Sequence, residues 1–170
     1  FLSNNKKADI FVDCTNASDH KNHIKALIPR NSYIVDLTPS GIGIKYSPIL
    51  TNLNFKKNES ISLISCGGQT AIPMIYILSK SIPNIKYIEV VSSLSSLSVG
   101  AHTRKNLDEY IKTTESAIKK FSNCRESKVI LNINPAEPPV KMKTTISIKA
   151  QVDTDINELI EKIYMVEKFV

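Results

Sequence analysis

Apolar residues recur along this chain with two periods in alternation. Residues 9–13 (Asp9-Ile10-Phe11-Val12-Asp13) and 33–37 (Tyr33-Ile34-Val35-Asp36-Leu37) are short apolar runs that predict buried strands. Between them Ile24, Leu27 and Ile28 mark one face of a polar helix. A strand, a helix and a strand of this length form the parallel crossover unit of an α/β layer. The loop Thr38-Pro39-Ser40-Gly41-Ile42-Gly43 ends that unit, because proline and two glycines break regular structure.

A second unit follows with the same grammar. Residues 61–65 predict a short apolar strand, after which Cys66-Gly67-Gly68 turns the chain into a helix running to about Ser81. Residues 85–94 are β-branched and predict a long strand. Leu107, Tyr110, Ile111, Ala117, Ile118 and Phe121 line one face of an amphipathic helix, and residues 128–133 return as a strand. A proline-bearing loop, Asn134-Pro135-Ala136-Glu137-Pro138-Pro139, leads to a period-two stretch through Ile146, Ile148 and Ala150. The last helix opens with Asp155 and Glu158 as a capping pair and is expected to bury Ile156, Leu159, Ile160 and Ile163. The class is α/β with a mixed sheet in the second part. Loop residues concentrate at 40–60, which puts a domain boundary there: residues 1–50, then 51–170.

Composition narrows the function classes. Of 170 residues, 42% are hydrophobic and 22% charged, the balance of a globular protein. No stretch reaches the roughly 20 apolar residues that cross a bilayer, so no membrane role is expected. The net charge is +6, but the lysines are scattered rather than gathered with aromatics, which suits solvated faces and not a nucleic-acid partner. Three widely spaced cysteines, Cys14, Cys66 and Cys124, fit neither a disulfide framework nor a zinc site and point to a reducing, cytoplasmic setting. His20 and His23 read as two surface histidines on a polar helix, and no metal site is expected.

Cys66 differs from the other cysteines in its setting. It follows an apolar strand and precedes two glycines where a helix begins. Backbone N–H groups and the positive end of the helix dipole favour a sulfur anion there, and glycines leave room for a carbonyl to approach. Free amides after Cys66 are expected to hold the oxyanion that attack generates. A small buried cysteine at a helix start has the same pattern, and placement alone leaves both readings open.

The segment Ser65-Cys66-Gly67-Gly68-Gln69-Thr70-Ala71-Ile72-Pro73-Met74 closely resembles the active-site segment of the acylating, CoA-dependent acetaldehyde dehydrogenases. Asp36-Leu37-Thr38-Pro39 with Gly43 resembles the family's segment before the catalytic strand. Ser98-Val99-Gly100-Ala101-His102-Thr103-Arg104-Lys105-Asn106 resembles its second NAD-binding segment, and the loop Asn134 to Pro139 is similar to a further family signature. The segments stand in the expected order across almost the whole chain. The resemblance implies the end of a Rossmann-type NAD-binding domain followed by most of an α/β catalytic and dimerisation domain. It implies Cys66 as the acyl-forming nucleophile, residues 98–106 against NAD, and CoA as co-substrate. A short-chain aldehyde is the implied substrate, a homodimer the implied assembly, and a 4-hydroxy-2-oxovalerate aldolase the implied partner, in aromatic-hydrocarbon catabolism.

Departures from that pattern bear on activity. No Gly-x-Gly-x-x-Gly follows a strand, so the chain, which opens on Phe1, is expected to be an internal piece lacking the family's glycine-rich turn and its C-terminal portion. Thr144 stands where the family has an aspartate, and threonine cannot accept a proton near neutral pH. Ala101-His102 stands where the family usually has Pro-Gly, and the His102 ring is expected to crowd the cofactor rather than to supply a replacement base. An inactive remnant serving only subunit association is therefore the alternative reading.

Overall fold

The computed structural model describes residues 7–50, 54–151 and 155–167, without the side chains of His102, Val166 and Glu167. Two sheets share the chain. The first is all parallel, with strands β1 (Ile10–Asp13), β2 (Tyr33–Asp36), β3 (Ile44–Lys45) and β4 (Ser60–Ser62) in the order β1-β2-β4-β3. Helix α1 (Ala17–Leu27) makes the β1-to-β2 crossover and buries Ile24 and Leu27 against Ile34. Strand β3 is too short to show as a period in the sequence. Gly43 admits it beside β4: its φ is +94°, and a Cβ there meets the Ser60 carbonyl oxygen at 2.4 Å.

Helix α2 (Cys66–Ser81) carries the chain from β4 to the second sheet, whose order is β6-β5-β7. Strand β5 (Tyr87–Ser95) lies in its centre. The short helix α3 (Ala101–Lys105) and the long α4 (Leu107–Ser122) lead from β5 to its parallel neighbour β6 (Glu126–Asn134). Strand β7 (Lys143–Lys149) pairs antiparallel on the other side, which makes the sheet mixed as expected. Its inward parity also holds, because Ile146 and Ile148 pack on the core while Thr144 shares their face. Ile75, Ile88, Val90, Ile118 and Val129 fill the space between this sheet and α2 and α4.

Helix α5 (Ile156–Glu167) corrects one expectation: Ile156 and Ile160 are exposed. The helix rests on α2 along one side, through Leu159 and a Lys162–Ser81 hydrogen bond, so Tyr164 and Met165 also face solvent while Ile163 is half-buried. Asp155 caps the helix through the Asn157 N–H, but Glu158 pairs with Lys162 instead of closing the box.

Candidate active site

A cleft of about 240 Å³ opens at the carboxyl ends of the parallel strands. Its walls are the loops after β1 (Thr15, Asn16), after β2 (Leu37 to Pro39) and after β4 (Ile64 to Cys66), closed by Thr103, Asn106 and Tyr110. Ligands of open α/β sheets bind at this edge, where strands end and backbone groups converge.

Cys66 is exposed in the cleft, whereas Cys124 is buried in the core. Two local features aim it. Ser65 takes extended geometry and its Oγ accepts from the Gly68 N–H at 3.0 Å, capping α2 so that Cys66 is its first residue. Just before, the buried Ile64 holds φ at +66°, a conformation that a β-branched residue rarely adopts. That turn of the backbone is sustained by packing against Ile72 and Ala117 and delivers the chain sharply from strand into helix. Gln69 ties the turn down, donating from Nε2 to the carbonyls of Leu63 and Tyr46.

The amides that follow Cys66 are not free, which corrects the expected oxyanion donors. The Gly67 N–H donates to the Tyr110 hydroxyl at 3.0 Å, and the Gly68 N–H is taken by Ser65. Among the described residues no hydrogen bond takes up the N–H of Cys66 itself. Gly67 is required here by close approach, since a Cβ falls 2.0 Å from the Tyr110 oxygen and 3.0 Å from Ser92 Oγ.

Tyr110, which the periodicity assigns to the apolar face of its helix, has a second role that the sequence does not show. Its ring joins the core while its hydroxyl enters the cleft, 4.0 Å from Cys66 Sγ. Burial, with the Cys66 sulfur beside it, pushes the phenol up to about 12. Around it lies a set of hydroxyls: Ser65 Oγ is 2.7 Å from Thr114 Oγ1, and Ser92 Oγ is 3.4 Å from Thr144 Oγ1.

Among the described side chains of residues 98–106, Thr103 and Asn106 are the ones that reach the cleft wall. Val99 is buried, and Ser98 bonds back to the Ser95 carbonyl. Arg104 braces the bend by donating to the carbonyls of Val99 and Ser96. Gly100 caps α3 with open space around its Cα, and Ala101 and Lys105 lie on exposed turns of that helix. The side chain of His102 lies outside the described residues, so its expected crowding is not addressed.

Beneath the cleft the surface reading of His20 fails. His20 is fully buried, its Nδ1–H donating to Asp13 Oδ2 at 2.9 Å, with Nε2 3.6 Å from Asp36. Half-buried His23 reaches the same Asp13 oxygen at 2.9 Å, and Thr15 donates twice to the other. Burial favours the neutral acid, but the bonds from Thr15, His20 and His23 outweigh it and hold the Asp13 carboxyl well below the usual range. Asp36 in turn accepts from Thr38 N–H and Ser40 Oγ. Two carboxylates at strand ends thus shape the loops that line the cleft. Among the described residues no group of three or more His, Cys, Asp or Glu could hold a metal ion.

Residues 66–170 match the sequence model of a family described as prokaryotic acetaldehyde dehydrogenase, dimerisation. The chain belongs to the acetaldehyde dehydrogenase family. An acetaldehyde dehydrogenase of Burkholderia pseudomallei (strain K96243) is 38% identical over 161 residues, covering 91% of this chain and 54% of that protein. One from Pectobacterium atrosepticum is 39% identical over 163 residues, covering 91% and 55%. The chain thus spans about half the length of the curated relatives it matches. Among solved structures, the aspartate semialdehyde dehydrogenase of Candida albicans, crystallised with NADP, superposes with a TM-score of 0.64 at 10% identity over 91% of this chain and 55% of that one. Aspartate semialdehyde dehydrogenase II of Vibrio cholerae gives 0.60 at 12% identity, over 92% and 56%. These likenesses establish the fold: a parallel, Rossmann-like α/β layer joined to a part that matches the family's dimerisation domain. No helix among the described residues is long and apolar enough to cross a membrane.

Proposed function

We propose that this chain carries the acylation centre of an NAD-dependent, CoA-acylating acetaldehyde dehydrogenase, an oxidoreductase, with Cys66 as nucleophile. The exposed sulfur at the mouth of α2, in a cleft at the strand ends, is the observation that supports this most directly. The Cys66 thiolate attacks the aldehyde carbon; a C–S bond forms and the carbonyl electron pair moves to oxygen. The positive end of α2 and the N–H of Cys66 stabilise that oxyanion. NAD, when bound, accepts the hydride whose loss turns the hemithioacetal into the thioester. CoA is the thiol to which the acyl group then passes.

The residues fit part of this cofactor. A cleft of about 240 Å³ has room for acetaldehyde and a nicotinamide ring beside Thr103 and Asn106, and is below the size of sites that enclose larger ligands. No glycine-rich turn for the pyrophosphate stands among residues 1–170. The expected division at residue 50 is better drawn at about 63–66, since β4 pairs within the first sheet and the family's dimerisation domain matches from residue 66. That match supports a homodimer, and the family resemblance supports a cytoplasmic setting and an aldolase partner. Timed alkylation with iodoacetamide and peptide mapping tests the assignment. Cys66 is expected to react well ahead of exposed Cys14 and buried Cys124; equal rates at Cys66 and Cys14 overturn it.

A further inference from the structure

We propose that Tyr110 is a catalytic residue of this cleft: its hydroxyl donates a hydrogen bond to the Cys66 sulfur as the thiolate forms. The inference rests on the reading of Cys66 as the nucleophile and adds a residue to it.

The argument follows the protons. Thr114 Oγ1 donates to the Tyr110 carbonyl at 2.7 Å, so at 2.7 Å from Ser65 its oxygen accepts the Ser65 proton. Ser65 Oγ also accepts from the Gly68 N–H, and its second lone pair lies beside the Tyr110 hydroxyl. The Tyr110 oxygen accepts from the Gly67 N–H at 3.0 Å. Its own proton can rest on the Ser65 oxygen while the sulfur is neutral, and is free to turn to Cys66 Sγ, 4.0 Å away in the same cleft, once the thiolate forms. While sulfur carries its proton, the S–H points to the phenol oxygen. Once sulfur is an anion, the phenol O–H turns to it, and small movement of the exposed cysteine shortens the contact.

The result is a chain from backbone N–H through phenol to sulfur, which extends the positive end of α2 to the nucleophile. A phenol pushed up to about 12 keeps its proton throughout, so it serves as donor and not as base. Position and rigidity agree with this role. Tyr110 is buried in the core and held at both ends, by ring packing and by Gly67, whose missing Cβ leaves the space that the hydroxyl fills. Among the described residues that line the cleft none is a carboxylate or an imidazole, and the Tyr110 hydroxyl is the side-chain group that lies within hydrogen-bonding distance of the sulfur.

The test is the pH–rate profile of Cys66 alkylation in the full chain and in Tyr110→Phe, with Cys14 as internal reference. Loss of a hydrogen bond to a charged group predicts a fall of about tenfold at pH 7 and a profile displaced to higher pH. An unchanged profile, with Cys66 still faster than Cys14, overturns the role of Tyr110 and leaves the nucleophile in place. Cys66 reacting no faster than Cys14 in the unaltered chain overturns both. A second measurement needs no tyrosine variant: with tyrosine ¹³Cζ labels, the Tyr110 resonance is expected to follow titration of the thiol, and to lose that step in Cys66→Ser. A Tyr110 signal indifferent to that replacement refutes the contact.

Discussion

Replacing Gly67 by alanine is the sharpest structural perturbation of the cleft. The new Cβ falls 2.0 Å from the Tyr110 hydroxyl oxygen, a separation that atoms do not tolerate, and the ring cannot retreat because it is 4% exposed within the core. Overpacking of this kind costs about 1–3 kcal/mol. Displacing the hydroxyl also strands the Gly67 N–H, which adds about 1–3 kcal/mol for a buried donor without an acceptor. The sum centres on about 4 kcal/mol, equivalent to a fall in melting temperature of about 8–16 °C for a chain of this size. Urea unfolding followed by circular dichroism measures it. The double variant Gly67→Ala, Tyr110→Phe removes the atom that clashes, leaving Ser92 Oγ at 3.0 Å and a ring carbon at 3.3 Å as neighbours that give by small shifts. It is expected to be more stable than Gly67→Ala alone, with a coupling of about 1–2 kcal/mol. Strict additivity of the two replacements refutes the placement of that hydroxyl.

The carboxylate cluster makes its own predictions. His20→Ala leaves buried Asp13 and Asp36 without their shared partner and is expected to cost about 3 kcal/mol, whereas His23→Ala at the half-buried position costs under about 1 kcal/mol, by denaturant titration. The Asp13 carboxyl titrates below its unfolded value of about 4, so its contribution is complete above that pH and is lost as pH falls through the lowered folded value. The stability gap between the parent chain and Asp13→Asn is therefore largest at neutral pH and closes under strong acid; a gap independent of pH contradicts the assignment. Arg104→Ala frees the bend at Ser96 and Val99, and hydrogen exchange at the amides of residues 99–106 is expected to quicken while β5 is unchanged.

Much of the fold is legible from period alone. Helix α2 is bounded as expected from 66 to 81 because its signals are local: a glycine pair after an apolar strand, then an apolar run from Ala71 to Leu78. The parallel β1–α1–β2 unit and the mixed second sheet follow from strand and helix lengths for the same reason. Three features escape because they depend on distant partners. The hydroxyl of Tyr110 meets Gly67 across 43 positions, so helical spacing records only its ring. His20 is drawn inside by a carboxylate at the end of another element, which outweighs the polarity of its neighbours. The amides at Gly67 and Gly68 are occupied by hydroxyls, one local and one remote, so a glycine pair at a helix start does not by itself provide an oxyanion site. The helix-start setting of Cys66 is legible in its immediate neighbours, but its exposure in the cleft is not, and Thr15, Asn16 and Leu37 join it only through the parallel order of the strands.

Acyl transfer to sulfur tests the central claim without requiring the nucleotide. The chain is incubated with acetyl-CoA or p-nitrophenyl acetate, quenched in acid and mapped by peptide mass. One acetyl group, released by hydroxylamine, is expected on the Cys66 peptide and is absent from Cys66→Ala. Acetyl groups spread equally over Cys14 and Cys66, or none on Cys66 at all, contradict a nucleophile at the mouth of α2.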